Sequence, residues 1–171
     1  MREIIIGAQG FVGSNLSRHL PNAIKTSRRN GSEVPDSGYW FFDMLDSNPA
    51  LPNASVAYIC AGVNGTLTCA RDPQGSFRAN VDGTIRIARL YENDFVVWIG
   101  STTAEWSSDH YGRQKLITET VLRTMPNVAI VRAGRVTKDN VDDLCRLMIL
   151  LGRDRQGGTR LWNVDEKPYV K

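Results

Sequence analysis

Histidine is scarce in this sequence. His19 and His110 stand far apart, with no H-x-x-x-H or similar ligand cluster, so a structural metal site is not expected. The cysteines are also few. Cys60, Cys69 and Cys145 are odd in number and no pair has C-x-x-C spacing, which gives no disulfide framework and no redox pair. Cys60 falls in an apolar strand and Cys145 in a helix, so both read as small buried hydrophobes. No apolar run approaches membrane-spanning length. The first residues lead straight into a strand, without a charged n-region, an apolar h-region and a cleavage site. The expected setting is the cytoplasm, with no membrane partner. A net charge of +3 is too small to suggest a nucleic-acid surface, and no basic stripe accompanies it. Repeats, low-complexity tracts and long linkers are missing as well. What remains is a chain of 171 residues, enough for one domain with a real core.

Glycine, by contrast, is placed with purpose. Residues 4–13 read IIIGAQGFVG. The β-branched run at 4–6 predicts a buried strand, and residues 14–20 predict a short helix. Gly7, Gly10 and Gly13 lie between them at three-residue spacing. In such a unit, backbone N–H groups and a helix N-terminus can meet a pyrophosphate. Gly7 allows the sharp turn, Gly10 the approach of backbone to phosphate, and Gly13 the close seating of helix on strand. The spacing is G-x-x-G-x-x-G, not the G-x-G-x-x-G of the usual dinucleotide fingerprint.

Strands and helices then alternate, which predicts a parallel α/β sheet. Strands are expected at 23–26, 39–42, 56–60, 95–99 and 128–132, with a candidate seventh at 159–164. Helices are expected at 73–93, 111–125 and 141–151. Residues 30–38 read as loop, and 48–53, with two prolines, as a break.

Tyr111 and Lys115 form a Y-x-x-x-K. Positions i and i+4 share a helix face, so both point into one cleft. A phenol of pKa about 10 is a poor acid–base group at neutral pH. A neighbouring ammonium is expected to lower that pKa and make a proton donor or acceptor suited to a carbonyl or an alcohol. Ser101 closes the fifth strand at its C-terminal end, where open α/β sheets place ligands. Its hydroxyl can hold a substrate oxygen against Tyr111, with Thr102 and Thr103 as possible substitutes.

Five stretches in order carry a resemblance: GAQGFVG, FFDML, YICAGVNG, ANVDGTIRIARL, and VVWIGSTTAEW followed by YGRQKLITE. Together they resemble the extended short-chain dehydrogenase/reductase superfamily, the NAD-dependent epimerase/dehydratase and sugar-nucleotide reductase group. The last stretch is similar to dTDP-4-dehydrorhamnose reductase and its relatives. The resemblance covers about residues 1 to 135. It implies a Rossmann-type doubly wound parallel sheet of about seven strands and NAD or NADP as cofactor. Phe11 and Val12 would lie against the pyrophosphate through their amides. Asp43 and Met44 would contact the adenine, and Ala61, Gly62 and Val63 would pass near the ribose. Asn80 would sit on the helix behind the site. Ser101, Tyr111 and Lys115 would be the catalytic trio, Lys115 also binding the nicotinamide ribose. A homodimer packed through the helices at 73–93 and 111–125 is implied too.

The residues themselves bear on the cofactor. An acidic residue after the second strand would favour the ribose 2′-OH of NAD. Ser27, Arg28 and Arg29 stand there instead, and suit a 2′-phosphate by charge and forked hydrogen bonds. The expectation leans to NADP.

Two features depart from the family pattern. Nine residues separate Ser101 from Tyr111, where sugar-nucleotide members have a longer loop. Residues 133–171 also leave room only for a reduced substrate-side region, within a single domain spanning 1–171. Asn64, Glu105, Trp106, Arg132 and Arg135 are the candidates for holding a small-molecule substrate such as a nucleotide sugar. Trp106 could stack on a ring or pack under its loop. Reduction and epimerisation would use the same trio. A non-catalytic NAD(P)-binding module that senses redox state or regulates a partner is the alternative.

Overall fold

In the computed structural model, which describes residues 1–28 and 38–162, seven parallel strands form one sheet in the order β3-β2-β1-β4-β5-β6-β7. The strands are β1 (Glu3–Ile6), β2 (Ile24–Ser27), β3 (Tyr39–Phe41), β4 (Val56–Ile59), β5 (Phe95–Ser101), β6 (Val128–Ala133) and β7 (Gly158–Trp162). The strand order reverses between β1 and β4. That switch point opens a crevice at the C-terminal ends of the strands, the ligand position of doubly wound sheets.

The central strands are apolar without alternation because both faces of the sheet are covered. Ile4, Ile5 and Ile6 are all fully buried, and they serve opposite faces. Ile5 joins Leu16 of α1 (Phe11–His19) and Leu144 and Met148 of α7 (Val141–Asp154). Ile4 and Ile6 join Ile87 of α4 (Thr84–Leu90), Leu122 of α6 (His110–Leu122) and Trp98 of β5. Among the described residues no helix is long and apolar enough to cross a membrane.

Several elements differ from their expected extents. α1 begins at Phe11 rather than at 14, because Gly10 is already its extended N-cap. The helix expected at 73–93 is three joined stretches: α3 (Pro73–Phe77), a π-helical segment (Arg78–Gly83) and α4. Two short helices were not expected, α2 (Thr66–Arg71) and α5 (Thr103–Trp106). Of the segment from 133 onward, Ala133, Gly134 and Val136 line the crevice. α7 and β7 instead complete the core and the sheet. Residues 163 and 164, the end of the expected seventh strand, lie outside the described residues.

Gly7 shows why the turn after β1 tolerates nothing larger. Its φ is +87°, and a Cβ there would lie 2.7 Å from the backbone N and Cα of Ala61. Gly7→Ala combines a left-handed backbone with overpacking against main chain. We expect it to lower unfolding free energy by about 2 kcal/mol or more, read as a lower urea midpoint at unchanged slope. A Cβ at Gly13 would meet the carbonyl oxygen of Gly7, so helix and turn are in direct backbone contact.

Candidate active site

The turn after β1 is held open from the neighbouring strand. The Gly7 N–H donates to Thr26 Oγ1 at 3.1 Å, and Gly10 N–H returns to Gly7 O at 3.0 Å. Ser27 Oγ donates to Gln9 Oε1 at 2.8 Å. α1 then starts with no side-chain cap, and its first intrahelical donor is Ser14, bonded to Gly10 O. The N–H groups of Phe11, Val12 and Gly13 therefore have no partner within the helix. A row of backbone donors at a helix N-terminus, with no acidic residue in the first turn, suits an anionic diphosphate by charge.

The crevice beside this turn is made of two adjoining hollows of about 560 and 530 Å³. They share Gly7, Thr26, Ser27, Arg28, Ala61, Gly62 and Asn64. One hollow extends over Phe42, Asp43, Met44 and Val63. The other runs past Gly10, Phe11 and Val12 to Ser101, Tyr111 and Lys115. The structure thus brings most of the sequence-selected residues to one continuous cleft. Asp43 Oδ1 accepts from the Leu45 N–H at 2.9 Å, which fixes the loop after β3. Arg29 lies outside the described residues.

Gly13, expected to seat the helix on the strand, and Asn80, expected on the helix behind the site, were also named with the cofactor-binding residues, and neither lines the cleft. Gly13 is buried against Gly7. Asn80, on the π-helical segment, is buried with its amide fully engaged. Its Oδ1 accepts from Val63 N–H at 2.7 Å, and its Nδ2 donates to Val63 O at 2.9 Å and to Gln114 Oε1 at 2.8 Å. Asn80 shapes the loop after β4, and a methyl group on Gly62 would approach its Oδ1 to 2.9 Å.

Tyr111 and Lys115 project from the first turns of α6. Asp109 caps that helix, accepting from Gly112 N–H at 2.8 Å, and accepts from Thr66 Oγ1 of α2 at 3.0 Å. The Lys115 Nζ donates to Ile99 O at 3.2 Å. It lies 4.9 Å from the centroid of the Trp98 ring and 5.6 Å from that of Tyr111. Burial lowers its pKa to about 8, against smaller raising effects from Cys69 and Cys60. The expected depression of the Tyr111 pKa by Lys115 does not occur. Burial pushes that phenol up to about 12, and the hydrogen bond from Ser101 only partly offsets it. The ammonium sits over ring faces and a carbonyl, so desolvation of the phenolate dominates. At neutral pH, Tyr111 keeps its proton.

The candidates for holding a substrate divide. Asn64 lines both hollows, whereas Arg132 is spent internally. Its Nε bonds Glu119 Oε2 at 2.8 Å and a terminal nitrogen bonds Glu105 Oε1 at 2.9 Å. Those carboxylates raise its pKa, the Glu119 hydrogen bond foremost. Glu105 thereby ties α5 to β6, and Trp106 on the same helix stays half-exposed. Cys60 packs partly buried against the core and also borders the cleft beside Ile99. Gln9, Thr26, Asp109 and Gln114 were missed. Only Asp109 carried a local signal, an N-cap residue directly before a helix; the others are revealed by long-range contacts.

No family model matches the sequence, and no curated protein matches it. Solved structures share the fold. A hypothetical dTDP-4-dehydrorhamnose reductase from Sulfolobus tokodaii is 19% identical, with a TM-score of 0.72 over 94% of this chain and 76% of that one. A serine dehydrogenase from Escherichia coli is 17% identical, with a TM-score of 0.78 over 99% of this chain and 100% of that one. A dTDP-4-dehydrorhamnose reductase from Bacillus anthracis, in complex with NADP, is 14% identical, with a TM-score of 0.71 over 94% of this chain and 74% of that one. At these identities the likeness is one of fold, the doubly wound parallel sheet.

Proposed function

We propose that this chain is an NAD(P)(H)-dependent oxidoreductase of the extended short-chain dehydrogenase/reductase type. Its substrate would be a carbonyl or secondary alcohol of a sugar or sugar nucleotide. The observation that carries this reading is the single cleft that joins the bare glycine turn to Ser101, Tyr111 and Lys115. The NADP-bound reductase of the same fold is consistent with it.

Gly10, Phe11 and Val12 would hold the pyrophosphate. Asp43 and Met44 would border the adenine, with Ser27 and Arg28 at the ribose 2′ position and Lys115 at the nicotinamide ribose. The nicotinamide, when bound, supplies or takes a hydride. Ser101 orients the substrate oxygen, and Tyr111, protonated at neutral pH, hands it a proton in the direction of reduction. Epimerisation would use the same groups. Exposed Phe77, Leu116 and Ile117, on the two helical regions named for dimer packing, are consistent with a homodimer.

Titration with NADPH and NADH, followed by fluorescence, tests the reading. The wild-type chain should bind NADPH more tightly. Arg28→Ala should weaken NADPH about tenfold, the loss of roughly one charge-assisted contact, and leave NADH unchanged. Equal binding of both by wild type removes the phosphate role of Arg28. Binding of neither, by folded protein, removes the oxidoreductase reading.

A further inference from the structure

Ser101 is a buried hydroxyl at the end of β5, and its oxygen makes two hydrogen bonds with one residue. The Thr103 N–H donates to Ser101 Oγ at 3.3 Å, and the Thr103 hydroxyl shares a 2.9 Å hydrogen bond with it. A serine oxygen has two lone pairs and one proton. The N–H takes one lone pair, and when the Thr103 hydroxyl gives its proton to the shared bond it takes the other, which leaves Ser101 as a donor beside Tyr111 in the same cleft.

We propose that Thr103 is a positioning residue that holds Ser101 as a hydrogen-bond donor and so leaves the Tyr111 proton for the substrate oxygen. This rests on the oxidoreductase reading above and goes beyond the trio itself. A serine hydroxyl with a free lone pair would offer the phenol an acceptor, and the Tyr111 proton would turn toward Ser101 and away from the cleft. Thr103 closes that option. It is the first residue of α5, a helix anchored on both sides of it. Thr102 N–H donates to Ala133 O at 3.0 Å, Ser107 N–H donates to Thr103 O at 2.9 Å, and Glu105 pairs with Arg132. The two donors are therefore fixed relative to β5 before any ligand arrives. The arrangement also suits a carbonyl substrate. Ser101 and Tyr111 would both present protons to one oxygen, which accumulates negative charge as its carbon is reduced.

The test compares wild type, Thr103→Val and Thr103→Ser as full chains. The probes are dTDP-4-dehydrorhamnose with NADPH and its reduced 4-hydroxy sugar nucleotide with NADP+. Valine keeps the shape and removes one donor, and serine restores it. On whichever probe wild type turns over, Thr103→Val should lose roughly ten- to a hundredfold in kcat, the scale of a misdirected reacting group. KM and the NADPH dissociation constant should stay within about twofold. Thr103→Ser should recover most of kcat. The proposal is overturned by a Thr103→Val enzyme with wild-type kcat, or by a Thr103→Ser enzyme as impaired as the valine variant. It is equally overturned if both variants lose NADPH binding or melt early, which would mark Thr103 as a structural residue only. A wild-type chain that binds NADPH and turns over neither probe overturns the positioning role on these substrates and favours the non-catalytic module, and that result is visible before any variant is compared.

Discussion

Tyr111→Phe is expected to lower turnover about a thousandfold, within the range that a positioned acid–base group contributes, while NADPH affinity stays within about twofold. The expectation follows from what phenylalanine keeps and what it loses. The ring remains, so Lys115 Nζ still has an aromatic face on either side, at 4.9 Å from the Trp98 centroid and 5.6 Å from that of residue 111. The Lys115 bond to Ile99 O is untouched, and the cap from Asp109 belongs to the backbone of Gly112. What goes is the hydroxyl, with its proton and its hydrogen bond from Ser101. That proton is firmly held at neutral pH, because burial raises the phenol to about 12. Such a group is a donor waiting for a developing alkoxide, not a standing base. Oxidation of an alcohol by the wild-type chain should accordingly be the slower direction at neutral pH. The measurement is kcat in both directions, alongside an NADPH titration of each variant. Unimpaired turnover by Tyr111→Phe would remove Tyr111 as the proton donor. Cofactor binding by both proteins with turnover by neither would favour the non-catalytic module.

The fold was legible where burial is two-sided. Ile4, Ile5 and Ile6, or Val56 to Ile59, face a helical layer on each side, so they form unbroken apolar runs that local pattern detects. α2 and α5 were not legible. Six and four residues long, they are too short for a periodicity to emerge, and α2 buries only Cys69. The π-helical segment looks like ordinary helix in sequence, since its extra residue per turn comes from packing. There Gly83 sits so close to Met44 that a Cβ would come within 2.5 Å of the Met44 carbonyl oxygen. In the site, spacing sufficed for Tyr111 and Lys115 because i and i+4 share a face. It did not reach the electrostatics. Adjacency suggested an ammonium beside a phenolate, but the lysine bonds Ile99 O and sits over two ring faces, and desolvation decides the outcome. Arg132 illustrates the same limit. Its partners, Glu119 and Glu105, lie 13 and 27 residues away in sequence, so a residue that looked free for substrate is already committed. Asn80, expected behind the site, makes contacts with Val63 that span 17 residues, so its part in shaping the loop after β4 was likewise beyond the reach of spacing.

Lys115→Met should make the protein more stable and less active. Lys115 is only 7% exposed. Its pKa of about 8, lowered from 10.5 by burial, means that the folded state disfavours the ammonium despite the carbonyl and the two ring faces. Each pKa unit is about 1.4 kcal/mol, so below pH 8 the buried charge costs the fold about 3 kcal/mol relative to an unfolded lysine. Methionine has a similar length and no charge to desolvate. The expected gain near pH 7 is an increase in Tm of roughly 5–10 °C for a chain of this size. The pH dependence is specific. Between pH 8 and about 10.4, the unfolded lysine still binds a proton that the folded one has released, so wild-type stability should rise with pH across this window. Lys115→Met lacks that slope, and the two proteins should converge as pH climbs. Activity should move the other way, because the variant loses the proposed contact with the nicotinamide ribose. A stabilised, inactive variant would mark Lys115 as a residue kept for chemistry against the interest of the fold. If Lys115→Met instead melts lower at pH 7, the Ile99 hydrogen bond and the two cation–π contacts outweigh desolvation. The ammonium would then be a structural strut.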